Sequence, residues 1–269
     1  MHYEFSIMNY KFVLLGSGNV ATHLALALHA KGFQLLQIYS RSINHARALA
    51  DRVEAEATDS LAALRKDADI YIISVKDDAV PAMAAALADA NPRAIVVHTA
   101  GSVPIQALEV RKARYGVLYP MQTFTRSRDI DFSEVPCFIE GSDRETFETI
   151  KTIAGEISSR VVKADSARRK TMHLAAVFAS NMVNHCYHLA ECILSDAGLD
   201  FSLLYPLISE TARKAQAMSP FDAQTGPMVR YDHTVMDAQM RMLHDEDMKA
   251  IYEVMAKSIH ERHALSIKY

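Results

Sequence analysis

Residues 11–21 read Lys11-Phe-Val-Leu-Leu-Gly16-Ser-Gly18-Asn-Val-Ala21, an apolar run of strand length that ends in the pattern G-x-G-x-x-A. Gly16 allows a tight turn, Gly18 lets a pyrophosphate approach the backbone, and the small Ala21 lets the following helix pack closely. The N-terminus of that helix offers N–H groups and the positive end of its dipole to phosphate. The stretch therefore predicts a dinucleotide site with contacts from Gly16, Ser17, Gly18, Asn19 and Val20.

The chain up to residue 163 alternates strand-like and helical patterns. Further apolar runs lie at 35–39, 70–75, 95–98, 117–119 and 137–139, and amphipathic stretches separate the early ones. Strands that alternate with helices indicate a parallel sheet covered on both faces. We therefore expect an α/β fold with a doubly wound parallel sheet of the Rossmann type.

The pattern changes after residue 163. Asp165 and Ser166 can cap a long helical pattern that runs from 167 to 197 and ends at Gly198, and only helical patterns follow. The sequence predicts two domains, a nucleotide-binding domain at 1–163 and an all-helical domain at 164–269. The long helix has more apolar surface along its length than one small domain can bury. This surplus favours a homodimer.

Composition restricts the partners. A net charge of −3 argues against nucleic acid, because no basic excess is present to neutralise phosphates. No apolar run approaches the roughly 18 residues of a membrane span. Residues 1–10 lack the order of a signal peptide, Met8 would be a natural start, and residues 1–7 are expected to be dispensable. Three cysteines without metal-type spacing are typical of reduced thiols, so we expect a cytoplasmic protein.

The residues after the second predicted strand indicate which dinucleotide the protein binds. An Asp or Glu at this position binds the ribose 2′-hydroxyl in NAD-binding folds, but the sequence here is Ser40-Arg41-Ser42. Arg41 offers a planar fork to a 2′-phosphate, and two hydroxyls flank it. The alternative is a solvated arginine beside a helix cap. We predict NADP as the cofactor, bound by Ser40, Arg41 and Ser42.

Three more segments follow the carboxyl ends of predicted strands, where doubly wound sheets bind ligands. They add Val75 and Lys76 and then Thr99, Ala100 and Gly101 to the predicted cofactor contacts. The third segment, residues 119–124, adds Gln122 as a predicted substrate contact.

These motifs and the helical tail resemble the superfamily of pyrroline-5-carboxylate reductase, ketopantoate reductase and deazaflavin-dependent NADP oxidoreductase. The resemblance is closest to a bacterial group that carries the provisional name NADP oxidoreductase, whose Rossmann domain precedes a helical domain of unknown function. Its hallmarks are similar to Pro120–Phe124, His173–Asn181 and Thr225-Gly226-Pro227 with Arg230. The resemblance covers nearly the whole chain and implies a helical domain like the C-terminal domain of 6-phosphogluconate dehydrogenase.

The resemblance also implies hydride transfer between NADPH and a small carbonyl or imine. Related enzymes place a lysine and an asparagine in a K-x-x-x-N pattern on the long helix, which this chain lacks. Lys170 and Asn181 are eleven residues apart, roughly 16 Å along a helix, so the two cannot act on one atom. His173, a possible proton donor near neutral pH, and Asn181 are the better catalytic candidates, and Lys170 is the weaker one. The alternative for His173 and for Asn181 is a hydrogen-bonded residue at an interface between domains.

The remaining candidates lie in the helical tail. Thr225 and Gly226 would bring a hydroxyl and backbone N–H groups to a substrate, or form a plain turn between helices. Arg230 would bind a carboxylate or pair with Asp232. His185, His188 and Cys192 lack a known metal pattern, so we predict no metal site. The functional alternative to a reductase is an NADP-binding sensor or regulatory protein without catalysis, which the missing K-x-x-x-N pattern favours.

Overall fold

The computed structural model describes residues 10–109 and 114–266, and the possible start at Met8 lies outside them. One sheet has the order β3-β2-β1-β4-β5-β6-β7-β8. Its strands are β1 (Lys11–Leu15), β2 (Gln34–Tyr39), β3 (Glu56–Thr58), β4 (Ile70–Ile73), β5 (Ile95–His98), β6 (Tyr115–Pro120), β7 (Cys137–Gly141) and β8 (Val161–Lys163). The short strands β3 and β8 were not predicted, because three residues leave no detectable alternation.

The predicted doubly wound parallel sheet is confirmed, and one edge of it departs from the parallel order. Strands β1 to β6 pair in parallel, but β7 pairs with β6 in the antiparallel sense, and β8 follows the direction of β7. The Met121 N–H donates to the Pro136 carbonyl at 2.9 Å. The segment that connects β6 to β7 therefore returns to the point where β6 ends. A chain that turns back without a crossover pairs antiparallel.

The helices are α1 (Asn19–Ala30), α2 (Ile43–Ala50), α3 (Val80–Ala86), α4 (Arg144–Ile157), α5 (Ser166–Ala176), α6 (Val183–Asp196), α7 (Tyr205–Ala217), α8 (Pro220–Ala223), α9 (Pro227–Arg230), α10 (His233–Met242) and α11 (Glu246–Ser266). A π-helical stretch, Val177–Met182, separates α5 from α6. Predicted caps are present: the Asp165 carboxylate accepts the Arg168 N–H at 2.8 Å, and Ser42 accepts the His45 N–H at 3.5 Å. None of the helices in the described ranges is long and apolar enough to cross a bilayer.

The core has one apolar layer on each face of the sheet. Phe12 and Leu14 of β1 pack into one layer, and Val13 and Leu15 pack into the other. Because successive side chains of a strand point to opposite faces, a strand buried on both faces must be apolar throughout. This requirement explains the unbroken apolar run before Gly16.

The chain divides into two compact units, residues 1–180 and 181–269. The first unit contains the sheet and α5, and the second contains α6 to α11. The predicted domain boundary at 163/164 lies where the last strand ends, whereas the compact units divide at 180/181. The assignment of 1–163 and 164–269 as domains stays a prediction.

Candidate functional site

A cleft of about 790 Å³ opens at the carboxyl ends of β1, β2, β4, β5 and β6, and every residue that lines it belongs to the first unit. The neighbours of β1 in the sheet are β2 and β4, so the strand order reverses here, and such switch points bind ligands. The lining includes these predicted contacts: Gly16, Ser17, Gly18, Val20, Ser40, Arg41, Val75, Lys76, Thr99, Ala100, Gly101, Gln122 and His173.

The two glycines of the opening motif have different surroundings. Gly16 has φ +134°, and a Cβ built on it would stand 1.9 Å from the Ser74 carbonyl oxygen. Its N–H donates to the Tyr39 carbonyl at 2.8 Å. A Cβ on Gly18 would meet no atom within 4 Å. Gly16 is therefore required by the protein itself, whereas Gly18 leaves space beside the backbone for a ligand.

The N-terminus of α1 faces the cleft without a side-chain cap and without an acidic residue in its first turn. The first amides of a helix have no carbonyl within the helix to bind, so they are available to an anion. Val20 lines the cleft, but Asn19 does not. These features fit a pyrophosphate.

The end of β2 is polar and carries a cation. The Ser17 hydroxyl donates to the Ser40 hydroxyl at 2.8 Å, and Ser42, which does not line the cleft, caps α2. Arg41 is exposed and forms no ion pair within residues 10–109 and 114–266. His45 joins Arg41 in the lining, a position that sequence reasoning missed. The donor set fits a 2′-phosphate.

The other end of the cleft brings together β6, α5 and the loop after β5. The Tyr119 hydroxyl and His173 Nδ1 are 3.1 Å apart. A Cβ on Gly101 would lie 2.8 Å from both His173 Nδ1 and Tyr119 Cζ. Only glycine at this position lets the two rings meet.

Burial raises the pKa of Tyr119, and the charge of Asp77 adds to this increase, whereas Arg169 opposes it. The Tyr119 hydroxyl therefore stays protonated at neutral pH. Asp77 also lines the cleft and accepts a short hydrogen bond from the Ser102 hydroxyl. Sequence reasoning missed Tyr119 and Asp77 as site residues, although both stand in strand-end segments that it selected.

His98 positions the loop that carries Gly101. It is fully buried, and its Nδ1 accepts the Ala100 N–H at 3.2 Å. Burial and then the charge of Arg169 lower the pKa of His98 to about 3, so the ring is neutral. The Thr99 hydroxyl donates to the Ser74 hydroxyl at 3.0 Å, which links the turns after β4 and β5.

The other predicted site residues lie elsewhere. Lys170 is exposed on α5 and does not line the cleft. Asn181, Thr225 and Gly226 belong to the second unit, where Gly226 has φ +107° before α9. The role of each stays a prediction.

Two further alternatives fall in the second unit. The ion pairs of the described residues do not include Arg230 with Asp232, and Asp232 instead caps α10 through the Val235 N–H at 3.2 Å. Across the part of the chain that the structure describes, no three His, Cys, Asp or Glu side chains are grouped to hold a metal ion.

Comparison with known proteins agrees with this architecture. Residues 11–101 match the family "NADP oxidoreductase coenzyme F420-dependent", and residues 135–259 match the domain of unknown function DUF2520. A solved structure named putative NADP oxidoreductase, from Bacteroides fragilis, is 47% identical, with a TM-score of 0.92, over 95% of this chain and 100% of that one. The chain belongs to this family of NADP oxidoreductases.

More distant structures share the fold. A protein from Thermotoga maritima is 24% identical with a TM-score of 0.77 over 93% of this chain and 98% of that one. A reductive aminase from Aspergillus terreus, solved with NADPH and ethyl levulinate, is 17% identical with a TM-score of 0.67 over 94% of each chain. Among curated proteins, no significant match to this chain is found.

Proposed function

We propose that this protein is an NADPH-dependent reductase of a small carbonyl or imine, with Tyr119 and His173 as its proton-donating pair. The observation that carries the proposal is the 3.1 Å contact between Tyr119 and His173 in the cleft that also contains the G-x-G-x-x-A turn. Membership of the NADP oxidoreductase family supports the reaction type, and the site geometry supports the roles of the residues.

The cofactor would be held along the cleft. Gly16, Gly18 and the N-terminus of α1 would bind its pyrophosphate, and Ser40 and Arg41 would bind its 2′-phosphate. Lys76 and Thr99 would hold the part nearer to Gly101. When bound, NADPH supplies the hydride.

The protein must supply a proton to the oxygen or nitrogen that gains negative charge. A protonated, buried Tyr119 hydroxyl in contact with an imidazole can donate a proton and recover it through the ring. Gln122 also lines the cleft near Tyr119, and its Oε1 already accepts the Thr123 N–H at 2.8 Å. Its amide N–H groups would orient the substrate.

Replacement of the pair tests this assignment. In Tyr119→Phe and His173→Gln, we expect reduction of a keto acid, aldehyde or cyclic imine to slow by about 10²- to 10⁴-fold, the usual contribution of a general acid. NADPH affinity should change little, because neither side chain lies at the phosphate end. The measurement is NADPH oxidation at 340 nm, with binding followed by fluorescence.

Arg168→Gln is the matched control on the same helix, because Arg168 is exposed and is not a candidate site residue. It should keep the wild-type rate. Unchanged turnover in both pair variants would refute the assignment. Tight NADPH binding without turnover of any substrate would favour the sensor or regulator instead.

We also infer that the protein is a homodimer. Within the described residues of the second unit, Met236 and Ala256 are the buried hydrophobic residues, whereas Leu203, Leu207 and Val254 are 65%, 63% and 69% exposed. A surface this apolar indicates an interaction site. A second copy is the occupant that brings an equal apolar surface.

Light scattering after size exclusion should give twice the 29.9 kDa mass of one chain. Leu207→Glu should shift the population toward monomer, because it buries a charge in the interface. Glu210→Gln on the same helix is the control and should remain a dimer. A wild-type mass of 29.9 kDa at micromolar concentration would exclude this inference.

A further inference from the structure

Arg169 is a charged residue with 0% exposure, although its neighbours Arg168 and Lys170 are both exposed. Arginine is almost never fully buried unless it is paired. Its Nη1 donates to Glu140 Oε2 of β7 at 2.6 Å, and its Nη2 donates to the Val103 carbonyl at 2.6 Å. One guanidinium therefore binds both β7 and the loop after β5.

Ser166, in the first turn of α5, completes this network. Its hydroxyl donates to Glu140 at 2.9 Å and accepts the Ile105 N–H at 3.0 Å. Arg169 Nη2 also donates to the Ser166 hydroxyl, at 3.2 Å. The start of α5 is thus fixed to residues 103–105 by a charged, hydrogen-bonded cluster.

His173 lies four residues after Arg169, so the two side chains share one face of α5. The loop that Arg169 binds at Val103 also contains Gly101, the residue that makes room for His173 and Tyr119. The network therefore fixes the distance between α5 and this loop. It does so at a position on α5 that is one helical turn before His173.

The charge of Arg169 also acts on the neighbouring rings. Burial raises the pKa of Tyr119, the charge of Arg169 lowers it, and the charge of Asp77 raises it. His173 contacts the Tyr119 hydroxyl directly. The Arg169 Nε–H has no hydrogen-bond partner in the described residues.

We propose that Arg169 is a positioning residue for the reaction: it holds α5 so that His173 meets Tyr119, and it keeps a buried positive charge one helical turn from this pair. This role rests on the proposed function of the pair. It adds a residue that touches neither substrate nor cofactor and that acts through Tyr119 and His173.

The test compares Arg169→Lys, Arg169→Met and the double variant Glu140→Gln/Arg169→Met with the surface control Arg168→Met. The double variant removes both charges, so it can fold where Arg169→Met leaves Glu140 unpaired. The first readout needs no substrate: the titration of the Tyr119 ring by ¹³C NMR, assigned by its loss in Tyr119→Phe. The second readout is kcat and the KM for NADPH.

We expect loss of the Arg169 charge to raise the pKa of Tyr119 and to lower kcat by about tenfold or more, because misplaced catalytic groups lose rate. The KM for NADPH should stay within about twofold. Arg169→Lys should restore the Tyr119 titration in part, and Arg168→Met should match the wild type.

An unchanged Tyr119 titration in a folded variant without the charge would overturn the proposal, even if stability fell. A different outcome would contradict the proposed function: the Tyr119 titration shifts in the Arg169 variants, but Tyr119→Phe and His173→Gln reduce substrate at the wild-type rate. The two failures are therefore distinguishable.

Discussion

Gly16→Ala is expected to destabilise the protein by about 3 kcal/mol or more. The added Cβ would stand 1.9 Å from a backbone oxygen of Ser74, and the residue would have to keep a φ of +134°. Neither the turn after β1 nor that after β4 can yield, because the Ser74 N–H donates to the Leu15 carbonyl at 2.8 Å. Urea unfolding followed by circular dichroism measures the loss.

Two other glycines serve as controls. Gly18→Ala should remain folded, because its Cβ meets no atom within 4 Å, but NADPH affinity should fall by about tenfold or more, since the methyl group enters the space of the pyrophosphate. Gly155→Ala in α4, which also meets no atom, should gain about 0.5–1 kcal/mol from helix propensity. Stability of Gly16→Ala equal to that of Gly18→Ala would contradict the account of the turn.

Arg41→Ala is expected to weaken NADPH binding by about 10- to 150-fold, which corresponds to one charge-assisted hydrogen bond of about 1.5–3 kcal/mol. NADH binding should change by less than about twofold, because NADH lacks the 2′-phosphate. Arg41→Asp should weaken NADPH binding further, since a carboxylate repels phosphate. Fluorescence titration of both nucleotides at low and high salt gives the four affinities needed.

Arg47→Ala is the matched control, because Arg47 is also exposed and basic but lies on α2 outside the cleft lining. It should bind both nucleotides as the wild type does. Equal wild-type affinity for NADPH and NADH would refute the role of Arg41. A loss of NADH binding in Arg41→Ala as large as the loss of NADPH binding would place Arg41 elsewhere on the nucleotide.

The end of the cleft at the G-x-G-x-x-A turn could be predicted from the sequence because its determinants are local. Gly16 and Gly18 lie in the turn after β1, Ala21 lies in the first turn of α1, and Arg41 lies two residues after β2. Backbone geometry, which depends on neighbours in the chain, decides what such residues do. The direction of β7 could not be predicted in this way, because an apolar run does not indicate whether the strand pairs parallel or antiparallel to its neighbour.

The end of the cleft at Tyr119 and His173 depends on contacts between distant residues. Tyr119 and His173 are separated by 54 positions, and the reason for Gly101 becomes clear only when both rings lie against it. Arg169 is one of three consecutive basic residues in the run Ser-Ala-Arg-Arg-Lys. Nothing in this run indicates which of the three side chains is buried. Tertiary packing alone determines which of the three is buried.

The most direct test of the central claim is a crystal structure of the protein with NADP⁺. We predict the 2′-phosphate on Arg41, the pyrophosphate at the N-terminus of α1, and the nicotinamide C4 at the end of the cleft formed by Gly101, Tyr119 and His173. A nicotinamide ring remote from Tyr119 and His173, or a 2′-phosphate without contact to Arg41, would contradict the account.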